Sequence, residues 1–385
     1  MSSSIHACSL ARWPSDGRQG VTRSLSPVIP AQAGIQLEPA PSVAAVARSR
    51  SPYQRAWARF RRNRLGFFSL WVFVAMVAVA IIAEVVSNDR PLVVQFDGKW
   101  YFPILHTQPE SVFGGDFATP AEWHDPLIRR NLSKPGNWAL FTLNPYSAMS
   151  VEYFAKQPDP AAPSADHFLG TDSSGRDMVA RLLYGFRISI FFALALTLVA
   201  TILGILIGAV QGYFGGRVDL ATQRVIEIWN AIPELYLLII LAAIFQPSIL
   251  LLVGVFALFG WIGLSDYVRA EFLRNRNLEF VKAARAMGLS NWQIIRKHVL
   301  PNSMTPVITF LPFRMSAAIL FLTSLDFLGL GVTNLPSLGD LLRQGKENLD
   351  AWWISVPTFF LLVTTLLLLT FVGDALRDAF DTRKS

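Results

Sequence analysis

The sequence has little of what a soluble enzyme or a disulfide-stabilised protein requires. It contains one cysteine, Cys8, in 385 residues, which excludes a disulfide framework or a cysteine-built zinc site within the chain. Charged residues make up only 16% of the chain, below the roughly 25% that is usual in soluble domains. Hydrophobic residues make up 52%. This balance argues against a soluble protein and against disorder as its main state.

Motifs for nucleotide, metal and catalytic chemistry are also missing. No G-x-x-x-x-G-K-[ST] phosphate loop occurs, so the chain is not expected to bind ATP itself. The five histidines are too scattered along the sequence to predict a metal site: His6, His106, His124, His167 and His298. No pair of carboxylates can be assigned to acid–base work. We therefore expect no catalytic residue, metal or cofactor on this chain.

Long apolar runs are present instead, each near the ~20 residues that a helix needs to cross a bilayer. Four runs are almost free of charge: 66–86, 188–212, 248–265 and 351–373. Two further runs carry charges: 220–245 and 304–332. They are counted as spans because the basic segments of the chain fall on the same side of the membrane only if both runs cross it. The predicted fold class is an all-α membrane protein with six transmembrane helices.

The net charge of +7 follows from membrane topology. Lys and Arg concentrate in the segment 48–65 and in the loop 269–303, which the positive-inside rule places in the cytoplasm. Both termini are then cytoplasmic, with a tail at 374–385, and the segment 87–187 forms a periplasmic insert before the membrane core 188–378. Nucleic acid is therefore not expected as a partner.

The first 47 residues fit none of these segments. They are rich in Ser, Pro and Ala without periodicity, so we expect a disordered extension in which Cys8 is an inert thiol. One hypothesis is a start codon assigned too far upstream, with the true start near Val43 or Val46. At the end of the insert, Asp172 and Ser173 are predicted to cap an interfacial helix that leads into the second span.

The loop 269–303 contains the most informative motif. Ala283, Ala284 and Ala286 are strong helix formers with small side chains, which allow another protein to approach closely. Gly288 tolerates the positive φ with which a chain leaves a helix, and Pro301 predicts a second break before the next span. A helix, a glycine turn and a second helix are suited to docking in a groove of a partner protein.

At these residues the chain resembles the permease subunits of binding-protein-dependent ABC importers. Their signature loop has Glu-Ala-Ala, a glycine and then Ile-x-Leu-Pro; Lys282 and His298 depart from it. Residues 167–189 and 324–332 resemble the dipeptide/oligopeptide branch, and the likeness covers about residues 50–385. The resemblance assigns contact with an ATPase to the loop residues Lys282, Ala283, Ala284, Arg285, Ala286, Gly288, Leu289, Leu300 and Pro301.

This resemblance implies the fold of a type I ABC importer permease in a bacterial inner membrane. It implies a second permease subunit in a heterodimer, a separate or fused cytoplasmic ATPase that uses ATP and magnesium, and a periplasmic peptide-binding protein. The implied substrate is a peptide of the oligopeptide or microcin C type. Alternatives are a permease of the same branch for nickel or glutathione, a secondary transporter or channel, and a membrane-embedded enzyme.

Polar and small residues inside the predicted spans give further candidates. Gly204, Gly208 and Gly212 share one helix face, which predicts close packing inside the subunit or against its partner. Pro233 predicts a kink in the third span.

Charged residues inside the spans are candidates for the substrate pathway. Glu234 and Arg314 lie at matching depths, so they are expected either to form an ion pair or to face a water-filled pathway separately. Asp326, near the outer end of the fifth span, is expected either to meet the amino group of a peptide or to accept a structural hydrogen bond from loop amides.

Overall fold

The computed structural model describes residues 52–151, 158–332 and 334–381. The predicted extension 1–47, with Cys8, lies outside these residues. Five helical segments of the described chain are long and apolar enough to cross a membrane: Arg64–Ile81, Met178–Phe214, Ile249–Asn275, Asn291–Phe327 and Trp352–Phe380. A sixth span results if one bent helix pair is counted. The expectation of a helical membrane protein is confirmed, with five or six spans.

The chain begins with a basic amphipathic helix that packs against the last helix. Helix α1 (Pro52–Arg62) is followed by Asn63, whose side chain caps α2 (Arg64–Ile81). A short helix, α3 (Ala83–Val86), follows. Phe60 is buried beside Ala375 of the C-terminal helix α14 (Trp352–Phe380). The first span, α2, is shorter than the predicted run 66–86. It packs in one apolar cluster with α1 and with the C-terminal helix α14.

The insert contains a small sheet with its own apolar core. Strands β1 (Val93–Phe96), β2 (Lys99–Tyr101) and β3 (Trp138–Leu140) form an antiparallel sheet in the order β2-β1-β3. Helix α4 (Pro126–Leu132) completes this unit. The core side chains are aromatic and aliphatic residues: Val94, Phe96, Phe113, Trp123, Ile128 and Leu132.

The insert leads without interruption into a helix of 37 residues, α5 (Met178–Phe214). The predicted interfacial helix and the second span are thus one helix, and its cap is Asp177, which accepts the Ala180 N–H at 2.9 Å. The expectation that Asp172 and Ser173 cap it is wrong. Asp172 is fully buried and accepts the N–H groups of Ser174 and Arg176 in the preceding turn.

The third predicted span, 220–245, is broken. Helices α6 (Gly216–Asn230) and α7 (Glu234–Ile244) meet at an angle of 61°. Pro233 stands immediately before α7 with extended backbone. Proline lacks the N–H that would continue α6, and it disfavours helical geometry at the residue before it. The result is a break in the helix rather than the expected kink.

The fourth and fifth spans extend into the basic loop between them. Helices α8 (Ile249–Gly260) and α9 (Ile262–Asn275) lead to α10 (Glu279–Ala286) and α11 (Asn291–Ile294). A π-helical turn, Ile295–Val299, then joins α11 to α12 (Leu300–Phe327). Helix α13 (Leu338–Glu347) precedes α14.

Pro301 does not break the chain, contrary to expectation. It lies in the first turn of α12, where proline is tolerated because the first N–H groups of a helix have no partner within it. The preceding Leu300 N–H bonds to the Ile295 carbonyl across the π turn. The fifth span is consequently one helical path from Asn291 to Phe327, rather than a helix starting at residue 304.

Candidate functional site

The predicted docking helix α10 has one buried and one exposed side. Val281 and Ala284 are fully buried in an apolar cluster formed with α5, α9 and the π turn. Lys282, Ala283, Arg285 and Ala286 are exposed. The expectation that all three alanines are available to another protein is wrong for Ala284. It lies three residues after Val281 on the same helix face, and that face packs on its own subunit.

Gly288 lies at the tip of this loop. Its φ is +80°, and a Cβ added there would have nothing within 4 Å. The Gly288 N–H bonds to the Arg285 carbonyl at 3.0 Å, and the Leu289 N–H to the Ala284 carbonyl at 3.2 Å. These two bonds form a Schellman cap that ends α10. Trp292, 64% exposed, follows at the start of α11, so the tip presents an apolar ring beside an open backbone.

The loop is fixed to the membrane helices by hydrogen bonds. The Tyr213 hydroxyl at the end of α5 donates to Asn291 Oδ1 at 2.8 Å, and Arg276 Nη1 donates to the Tyr213 carbonyl at 3.2 Å. Asn275 Nδ2 donates to Ser303 Oγ at 2.9 Å. Leu289 and Leu300 are partly buried against the same apolar cluster, and Pro301 is exposed. The loop is therefore attached to α5, α9 and α12.

The glycine stripe of α5 faces α9 within the same subunit. A Cβ at Gly204 would lie 3.0 Å from the Trp261 carbonyl oxygen, one at Gly208 2.5 Å from that of Ser265, and one at Gly212 2.6 Å from that of Arg269. All three contacts are to backbone. Each glycine therefore allows the two helix backbones to approach more closely than any side chain would permit.

Glu234 and Arg314 line one cavity of about 220 Å³ between α5, α7, α8 and α12. Of the two arrangements expected for them, the ion pair is not formed, since no carboxylate oxygen lies within 4.0 Å of Arg314 in the described chain. Arg314 Nη2 instead donates to the Gly260 carbonyl at 2.6 Å. Glu234 begins α7 after the break, so its depth could not be counted along a continuous helix.

The wall of this cavity also contains Thr197, which the sequence did not single out. Its buried hydroxyl and the buried Arg314 Nε have no hydrogen-bond partner in the described part of the chain. The only feature of the sequence that could have indicated Thr197 is a polar residue within a long apolar run.

Asp326 accepts a hydrogen bond from the Ser337 hydroxyl. Ser337 also caps α13 by accepting the N–H groups of Gly339 and Asp340. Of the two expected roles for Asp326, the structure contains a structural hydrogen bond, but its donor is the Ser337 hydroxyl rather than a loop amide. That bond joins the end of α12 to the start of α13.

A cluster of arginines beside Asp326 was not predicted as a site. Arg181 of α5 is ion-paired with Asp172 at 3.3 Å and with Asp340 at 3.1 Å. Arg343 donates to Asp340 at 2.6 Å, and this hydrogen bond raises the pKa of its guanidinium. Arg181 and Asp340 lie 159 residues apart in the sequence. No sequence pattern predicts that they pair.

Two family models match the chain. The model described as "Binding-protein-dependent transport system inner membrane component" matches residues 200–385. The model described as "N-terminal TM domain of oligopeptide transport permease C" matches residues 51–101.

Several curated proteins are similar over most of their length. The inner membrane ABC transporter permease protein YejE of Escherichia coli K12 is 47% identical, with 87% of this chain and 98% of that protein covered. The peptidoglycan transport system permease protein YejE of Agrobacterium fabrum is 42% identical, with 86% and 93% covered. The oligopeptide transport system permease protein OppC of Haemophilus influenzae is 37% identical, with 58% and 73% covered.

Among solved structures, a chain of the methionine ABC transporter MetNI in an inward-facing conformation is 20% identical. Its TM-score is 0.42, with 53% of this chain and 98% of that chain covered.

Proposed function

Since this chain belongs to the binding-protein-dependent ABC transporter permeases, we propose that it is the membrane subunit through which an ATP-driven importer moves peptides. The observation that carries this proposal is the 47% identity to a permease of which 98% is covered. YejE, OppC and DppC relatives agree in naming permeases, and several name peptide transport. Permease subunits are not enzymes, so ATP and magnesium are used by a partner ATPase.

The docking loop and the insert are assigned to opposite sides of the inner membrane. Helix α5 connects them, and its 37 residues span about 55 Å at the helical rise. The basic loop 269–303 then faces the ATPase in the cytoplasm, together with both termini. The insert faces the periplasm, where a peptide-binding protein delivers the substrate. A second permease subunit completes the pathway.

Contact with the ATPase is proposed for the exposed residues Lys282, Ala283, Arg285, Ala286 and Gly288. Small side chains and the open backbone at the tip allow a groove of the partner to close around them. Ala284, Leu289 and Leu300 instead hold the loop on its own subunit, and exposed Pro301 lies at its membrane end. Coupling then passes through Tyr213 and Asn291 to α5.

The translocation pathway is proposed to pass the cavity of Glu234 and Arg314. Both groups are costly to place at membrane depth without a function, and the break before α7 gives that wall a point at which it can bend. Asp326 lies nearer the insert end of the same helix, α12. Peptide backbone groups are polar, so a route with separated charges suits them better than an apolar one.

Reconstitution tests this function. Proteoliposomes containing this chain, the second permease and the ATPase, supplied with the binding protein, are expected to accumulate labelled peptide only with ATP and only when this chain is included. A matched preparation with the ATPase inactivated is the control. Uptake driven by an ion gradient without ATP would instead indicate a secondary transporter.

A further inference from the structure

A second cavity, of about 280 Å³, lies where the insert joins the helix bundle. Its charged wall is formed by the turn before α5, α5 itself, the end of α12 and α13. Three guanidinium groups and two carboxylates line it: Arg176, Arg181, Arg343, Asp326 and Asp340. This cavity is separate from that of Glu234 and Arg314, since the two share no lining residue.

Hydrogen-bond donors on this wall lack partners. Arg181 is only 1% exposed, and its Nη1 has no hydrogen-bond partner in the described chain. The buried Nε atoms of Arg176 and Arg343 also have no hydrogen-bond partner in the described chain. Guanidinium groups stay charged and can only donate. A buried donor without an acceptor is costly, so three in one cavity wall indicate that an acceptor from outside the chain belongs there.

Most acceptors at this wall are already occupied. Asp326 Oδ2 accepts from Ser337. Asp172, which does not line the cavity, has a buried Oδ2 without a hydrogen bond in the described chain, but that atom is ion-paired with Arg181 Nε at 3.3 Å. Asp340 Oδ1 accepts from Arg343, and its Oδ2 accepts from Arg181 at 3.1 Å and Gln344 at 2.7 Å. The site therefore has donors in surplus. A ligand that supplies two anionic oxygens matches the planar fork of a guanidinium.

We propose that this cavity binds the C-terminal carboxylate of the imported peptide. The inference rests on the proposed function as a peptide permease and adds a site at the insert end, where a peptide enters. Every unmodified peptide carries this group whatever its sequence, so a permease can use it without selecting side chains. The volume suits the last residue of a peptide rather than a folded partner.

Uptake by the full reconstituted complex with its binding protein tests the site. Two peptides of one sequence without Asp or Glu are compared, one with a free carboxylate and one with a C-terminal amide. Arg176→Gln is expected to raise KM for the free carboxylate about tenfold, the equivalent of about 1.4 kcal/mol, and to leave the amide unchanged. The binding protein is the same in every experiment, so a change in the ratio of the two KM values is caused by the substitution in this chain.

Arg187→Gln is the matched control. Arg187 lies further along α5, outside the cavity, and pairs with Glu84 at 2.6 Å. It is expected to leave the ratio of the two peptides unchanged. Arg181→Lys, which keeps the charge paired with Asp172 and Asp340 but loses the fork, is expected to change the ratio in the same direction as Arg176→Gln. An amidated peptide with one internal Asp distinguishes a side-chain carboxylate from the C-terminal one.

The outcomes separate the two proposals. C-terminal recognition is overturned, while peptide import stands, if Arg176→Gln leaves the ratio of the two KM values unchanged. It is also overturned if Arg176→Gln raises KM for the amidated peptide that carries one internal Asp. Failure of the wild-type complex to import either peptide overturns the proposed function itself, and this inference with it.

Discussion

Ala283 and Ala284 are adjacent in the sequence but have opposite surroundings, which allows docking to be separated from folding at the scale of single residues. Ala283 is exposed and Ala284 is fully buried. We expect Ala283→Arg to abolish ATPase stimulation by peptide and leave the melting temperature unchanged. Ala284→Arg places an unpaired charge in an apolar cluster and is expected to destabilise the subunit by at least about 3 kcal/mol. Thermal unfolding of the purified complex checks the two stabilities, and its ATPase rate with and without peptide checks docking.

Lys282→Ala is a control for stability alone, because Lys282 is itself proposed to contact the ATPase. Lys282 forms an exposed ion pair with Glu279, and such pairs contribute about 0–1 kcal/mol. Stability should stay within that range. Equal melting temperatures for Ala283→Arg and Ala284→Arg would contradict the burial on which the docking face is defined.

Individual residues also differ in how far the sequence predicts them. A glycine after a run of helix formers predicts the turn at Gly288, because positive φ is a local property. Counting along helices predicted that Glu234 and Arg314 lie at similar depth, and both line one cavity, but it could not decide between an ion pair and separate charges. The Gly260 carbonyl that accepts from Arg314 is brought near it by tertiary structure, which no spacing of charges contains.

At the scale of elements, the α5–α9 contact depends on missing side chains. A Cβ at Gly208 would lie 2.5 Å from the Ser265 carbonyl oxygen and 2.9 Å from Val268 Cβ, so Gly208→Ala must push the helices apart. We expect it to destabilise the protein by about 1–3 kcal/mol, the usual cost of overpacking, measured by thermal unfolding of the purified subunit.

Gly254→Ala in α8 provides the matched comparison, because a Cβ there would meet nothing within 4 Å. Alanine favours a helix over glycine by about 1 kcal/mol, so stability should stay equal or rise. Equal changes at Gly208 and Gly254 would show that helix propensity, rather than the contact with α9, decides the outcome.

Apolar runs predicted which elements exist more reliably than where they end. The second span begins at Met178 instead of 188, and the fourth reaches Asn275 instead of 265. Hydropathy locates the part of a helix that lipid surrounds, whereas these helices continue in polar, amphipathic residues beyond it. The sheet of the insert was missed because its three strands have only three or four residues each.

At the scale of the whole molecule, one carboxylate joins the insert to the longest helix. Asp177 caps α5 through Ala180 and accepts from Asn144 Nδ2 at 2.6 Å, while His167 Nδ1 lies 3.0 Å from its second oxygen. Asn144 also donates to Ser87 Oγ at 3.0 Å, at the other end of the insert. The two points at which the insert meets the bundle are therefore held by one network.

Removing this carboxylate should separate the insert from the bundle and leave the insert's own apolar core folded. Asp177→Ala is expected to cost about 2–4 kcal/mol, the sum of a lost cap and of buried partners left unsatisfied. Amide hydrogen exchange should accelerate at the start of α5 and around Asn144 but not in β1. Asp125→Ala, which removes only the cap of α4 at Leu127, is the control and should act locally. Asp177→Asn keeps the cap and should lie between them; identical exchange at α5 in all three variants would refute the role of the network.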